Sequence, residues 1–126
     1  MTPLPAKAIF SALPQYSALP LEELVNGLQH ASPQVRAQAL AALGSLPSAT
    51  TLAPMVAAIT NAQNRQTPWF GFITVSWVGI VALVETGEAQ AQQAAREIIS
   101  KWDTDERNHL LSWLKDFPAY AQALAA

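Results

Sequence analysis

The sequence predicts an all-α fold: a short α-solenoid, wound as a right-handed superhelix of about three helix pairs and closed by a C-terminal capping helix. Three observations carry that prediction. Proline and glycine cut the chain into helix-length pieces, with Pro5, Pro20, Pro33 and Pro68 each just ahead of an apolar periodic run, where the first helical turn tolerates a residue without an N–H. Alanine, the best helix former, supplies 24 of 126 residues, and β-branched residues alternate with polar ones only weakly, at 72–76. An apolar stripe also repeats in register. Leu21, Leu24, Val25 and Leu28 are followed thirty-one residues later by Leu52, Met55, Val56 and Ile59 at the same offsets.

The elements follow in order. Helices near 5–13 and 20–29 form the first pair, the earlier one with the stripe Ala6, Ile9, Phe10, Leu13. Helices near 33–45 and 49–61 form the second. Ser32 caps its first helix, and Val35, Ala39, Leu40 and Leu43 make that helix's buried edge. Helices near 68–86 and 88–101 form the third pair, with Thr67 as an N-cap and a smaller stripe at Ala91, Ala94, Ala95, Ile98. Gly44 and Gly87 stand where left-handed C-cap residues are expected. The closing helix near 104–117 carries Leu110, Trp113, Leu114 and Phe117, and Asp103 with Glu106 has capping-box spacing. A short helical turn at 119–125 ends the array. The 126 residues are expected to form one domain.

Composition excludes several functions. Seven Lys plus Arg against nine Asp plus Glu, net charge −2, cannot build a basic face, so no nucleic-acid partner is expected. With no cysteine there is no disulfide scaffold, Cys-ligated metal or thiol nucleophile. The N-terminus has no basic n-region and is broken by prolines, Thr2 stands where myristoylation needs glycine, and prenylation and palmitoylation lack their cysteine. A cytoplasmic protein is the expectation. The five glycines stand alone, so no phosphate loop is present. His30 lies at a helix end and reads as a cap. Glu106 and His109 have Glu-x-x-His spacing, but a helix-bundle metal site needs that motif twice. No catalytic residues, metal or cofactor are expected, and the protein reads as a non-enzyme.

The stretch 21–44 carries Leu-x-x-Leu-Val-x-x-Leu, a polar turn, Pro33-x-Val35-Arg36, and Ala39-Leu40-x-x-Leu43-Gly44. It resembles a HEAT repeat, and more narrowly the short, roughly thirty-residue HEAT-like repeats of the phycobilisome-lyase type. The match covers residues 21–60. A third unit aligns Val78, Ala82, Leu83 and Gly87 with Val35, Ala39, Leu40 and Gly44, but Gly79 takes the arginine position and the spacing is 43 residues. The resemblance implies an armadillo-like helical scaffold in which Arg36 is structural, bonding neighbouring turns, with Gly44 and Gly87 closing helices. It also implies an alternative: an accessory subunit or chaperone for attachment or removal of a bilin chromophore. DNA-alkylation repair enzymes use HEAT-like stacks too, and the acidic balance argues against that role here.

Residues 68–84 contain no charge. They are expected to form the central helix of the stack, and two apolar stripes run along it. Phe70, Ile73, Trp77, Ile80 and Val84 make one; Phe72, Val75 and Leu83 make the other. If one stripe is left uncovered it is a docking surface, with Trp69, Phe70, Phe72, Ile73 and Trp77 as partner-binding anchors. The leading functional expectation is therefore a non-enzymatic scaffold or adaptor that binds another protein through this aromatic surface; a homodimer is a further partner. A second alternative is a membrane-associated subunit anchored by 68–84, whose seventeen residues reach the lower limit of a span. Trp102 and Trp113 are expected to pack between the last helices.

Overall fold

The computed structural model describes residues 20–46 and 48–125, without the side chains of Ser48 and Phe70. The helix expected near 5–13 lies outside the described residues. Helix α1 (Leu21–Gly27) opens with Glu22 and Glu23, whose charges suit the positive end of the helix dipole. It turns Leu24 inward and ends at Leu28, also buried, while Leu21 of the repeated stripe is exposed. Helix α2 (Pro33–Leu43) starts with proline at its first position and Ser32 as N-cap, the Val35 N–H donating to Ser32 Oγ at 3.4 Å. Its alanines let neighbours approach closely, and Ala37, Ala39, Leu40 and Leu43 are fully buried. Helix α3 (Ser48–Thr60) contains Pro54 and buries Met55 and Ile59, two residues of the second stripe.

A short helix α4 (Ala62–Gln66) follows, absent from the sequence-based prediction. Asn61 caps it, its Oδ1 accepting from the Gln63 and Asn64 N–H groups at 2.8 and 3.4 Å.

The next segment corrects the prediction. Residues 68–74 are an antiparallel hairpin, β1 (Pro68–Phe70) with β2 (Ile73–Thr74), pairing Pro68 with Thr74 and Phe70 with Ile73 across a bulge. The cause is local. Pro68 has no N–H, Trp69, Phe70, Phe72 and Ile73 favour a pleated surface, and Gly71 takes φ +57° at the tip. Thr67 therefore caps no helix. Thr74 does, its Oγ1 accepting from the Trp77 N–H at 3.2 Å to start α5 (Val75–Glu85).

Helix α5 is the hub. It touches α2, α3 and α4, and also α6 (Ala89–Ser100) and α8 (Pro118–Ala125). Every residue from Val75 to Val84 is buried. A helix apolar all round and covered on all sides is core. The single helix expected over 68–86 is thereby shortened to α5. Helix α5 has eleven residues, a rise of about 16 Å, and none of the described helices is long and apolar enough to cross a membrane.

Gly44 is a second correction. It has φ −64°, not a left-handed conformation. Its lack of a side chain serves contact instead: a Cβ there would stand 2.7 Å from the Ala82 carbonyl oxygen of α5. Gly79, at the position where an arginine would align, lies against Ile59 so closely that a Cβ would overlap it. Gly87, between α5 and α6, does have φ +72°. Helix α7 (Thr104–Trp113) starts at Asp103, whose Oδ1 accepts from the Glu106 N–H at 2.9 Å. A 3₁₀ turn (Leu114–Asp116) leads to α8.

Candidate docking site

The hairpin is fixed to the body from both sides. The Gln34 amide of α2 donates to the Trp69 carbonyl at 3.1 Å, and the Trp69 indole N–H donates back to Gln34 Oε1 at 3.1 Å. The Val75 N–H donates to the Thr67 carbonyl at 3.0 Å, closing the base. With Ile73 buried beneath it, the bend at Gly71 turns Phe72 outward, and Phe72 is 66% exposed. Its ring meets Trp77 edge to face, centroids 5.9 Å apart at 72°. Trp77 in turn stacks on Trp113 of α7 at 5.9 Å and 21°. Both geometries are favourable for aromatic pairs.

Between hairpin and α7 these rings line an open cleft of about 420 Å³, completed by His109 and Ser112. Helix α7 is held at its other end by charge. Arg65 Nη2 pairs with Glu106 Oε1 at 2.6 Å, and the guanidinium lies 5.3 Å from the centre of the Trp102 ring. The cleft is thus bordered by the hairpin, the start of α5 and α7, a helix also anchored by buried Leu110.

The sequence-derived anchors divide accordingly. Phe72 is the exposed one, Trp69 is half-buried and bonded to Gln34, and Ile73 and Trp77 are buried; the Phe70 side chain lies outside the described residues. Trp77 still borders the cleft. Trp102 is buried near the last helices, whereas Trp113 stacks across to Trp77 rather than among them. His109 and Ser112, three apart on one helix face, are residues that sequence reasoning missed as cleft lining. Their only signal is the Leu110-Trp113-Leu114 stripe beside them. Both are exposed and no hydrogen bond joins them, so no nucleophile–base pair is set up.

A second polar feature lies at the junction of α1, α2, α3 and α4. Arg36, 6% exposed, donates from Nε to Asn64 Oδ1 at 2.8 Å and from Nη1 to the carbonyls of His30 and Ala31 at 2.7 and 3.0 Å. Asn64 Nδ2 donates to the Ala58 carbonyl at 2.9 Å. One planar side chain so ties the end of α3 to the turn before α2. Sequence reasoning did not find Asn64. His30, read as a helix C-cap, instead accepts the Ser32 N–H at Nδ1, 2.9 Å, organising the turn ahead of α2. Glu106, the partner considered for His109, is engaged by Arg65. Among the described residues no group of three or more His, Asp or Glu side chains is placed to hold a metal ion.

Comparison with family models, with curated proteins and with solved structures gave no match.

Proposed function

We propose that this chain is a non-enzymatic adaptor of HEAT-like helical-repeat type that docks a protein partner on its aromatic face. One observation carries the docking reading: Phe72 stands 66% exposed on a rigidly braced hairpin, beside the cleft of Trp77 and Trp113. Aromatic side chains held in place by packing are the anchors that concentrate binding energy at interfaces, and His109 and Ser112 supply a polar rim.

The repeat reading draws support from the contacts. Helices α2 and α5 touch, as do α3 with α6 and α6 with α8, so with the short α4 left out of the count alternate helices are neighbours, as in a two-layer array. The lengthened spacing of the third unit coincides with α4 and the hairpin, an insertion between otherwise similar helix pairs. Such insertions in repeat proteins gather on the binding face.

The test is capture of partners from the source cells by the wild-type chain and by Phe72→Ser, read by mass spectrometry alongside helix content. A partner held by the wild type and lost from a folded Phe72→Ser chain supports the proposal. Equal capture by both chains refutes it. The paired change of Trp69 and Phe70 to Ser is a weaker probe, because Trp69 also braces the hairpin through Gln34.

A further inference from the structure

The junction of α1, α2, α3 and α4 holds a charge that no carboxylate balances. Arg36 is 6% exposed. Its Nε and Nη1 donate to the Asn64 oxygen and to the carbonyls of His30 and Ala31, acceptors that are dipoles without net charge. The Nη2 group has no acceptor among the described residues, and it is not one of the atoms sealed from solvent without a partner, so it reaches the surface. The one ion pair among the described residues, Arg65 with Glu106, does not involve it. Buried charges are ordinarily paired. Asn64 stands where a carboxylate would have balanced Arg36, and its other role keeps it an amide: Nδ2 donates to the Ala58 carbonyl at 2.9 Å, where an aspartate would set oxygen against oxygen.

Arg36 lines a cleft of about 590 Å³, a volume within the range of small-molecule sites. No Asp or Glu lines it. His30, also in the lining, accepts the Ser32 N–H at Nδ1, so that nitrogen carries no proton and Arg36 is the cation of the cleft. One positive charge balances one negative charge, which favours a monoanion over a phosphate dianion. Val25, Leu28, Pro54 and Ala57 give the cleft an apolar side, so a fitting anion carries an apolar body. We propose that this cleft binds a small organic monocarboxylate, its oxygen accepting from Arg36 Nη2 and its apolar body lying against Val25, Leu28 and Ala57. A charge-assisted hydrogen bond of this kind is stronger than one to a neutral carbonyl. The cleft shares no lining residue with the docking site, so the two readings stand or fall separately.

Titration calorimetry on the full chain at fixed ionic strength tests this. Hexanoate is the probe, hexanamide its neutral counterpart and inorganic phosphate the competing oxyanion. Hexanoate should bind saturably, with hexanamide and phosphate at least about tenfold weaker. Ala57→Glu sets a second carboxylate at the cleft from an exposed helical position. It should weaken hexanoate at least about tenfold through like-charge repulsion, while the equally bulky Ala57→Gln keeps most of the affinity. Phe72→Ser should bind hexanoate as the wild type does. The absence of saturable binding, equal binding of hexanamide, or equal losses in Ala57→Glu and Ala57→Gln overturns the proposal. So does phosphate binding more tightly than hexanoate, which makes this a site for inorganic oxyanions, or a loss in Phe72→Ser, which moves the binding to the docking face. A partner lost by Phe72→Ser together with a silent hexanoate titration refutes this inference and leaves the docking reading standing.

Discussion

At the scale of single residues, two side chains with opposite surroundings organise the molecule. Phe72 is exposed where burial would have been favourable, and Arg36 is buried where hydration would have been. Arg36 is tolerated because its donors meet the Asn64 oxygen and two main-chain carbonyls. Arg36→Ala leaves those acceptors in place without their donor, and chemical denaturation should show a loss of about 1.5–3 kcal/mol. Asn64→Ala removes the bridge to the Ala58 carbonyl and should be non-additive with Arg36→Ala, because the two residues act as a unit. A double-mutant cycle should give a coupling of about 0.5–3 kcal/mol. Additive losses would mean the residues stabilise the fold independently. Little of this was legible in advance. The arginine stood out by its place beside Pro33 and Val35, but its partner lies twenty-eight residues away in a short helix, and no local pattern marks that pairing.

At the scale of elements, the periodic helices were legible because apolar residues at i, i+3, i+4 and i+7 face one neighbour. Leu24, Leu28, Met55 and Ile59 are buried as that logic requires. The error at 68–74 came from weighing lack of charge above local backbone preference. A charge-free run fits a buried helix and a hairpin equally, and the weak alternation at 72–76 with Gly71 just before it was the signal for the hairpin. Thr74, the true cap, lies seven residues beyond Thr67, the expected one. Gly44 shows a related lesson, since a glycine after a helix can be demanded by a neighbouring backbone instead of by its own φ. Gly71→Val places a β-branched side chain at φ +57°, a conformation costing about 1–2 kcal/mol. Amide exchange should quicken across 68–74 while α5 stays protected. Uniform loss of protection through α5 would show that hairpin and helix form one cooperative unit.

For the whole molecule, α5 is the axis around which the other helices are placed, and α7 is held by the Arg65–Glu106 pair at its start, by buried Leu110 and by the Trp113 stack at its end. Ile80→Ala, in the fully buried centre of α5, should cost about 2–5 kcal/mol. Glu106→Gln removes the Arg65 ion pair at the start of α7. Because that pair is partly exposed, the stability loss should be under about 1 kcal/mol. Hydrogen exchange should nonetheless rise in α7 and leave α5 unchanged, since only α7 depends on that fastening.

The claim that this face receives a protein partner is tested most directly by a photo-crosslinking amino acid placed at position 72 and, as a control, at the exposed Gln90 of α6. In source cells the account predicts a discrete crosslinked partner from position 72 and none from position 90. Crosslinking that is absent at 72, or equal at both positions, would contradict it.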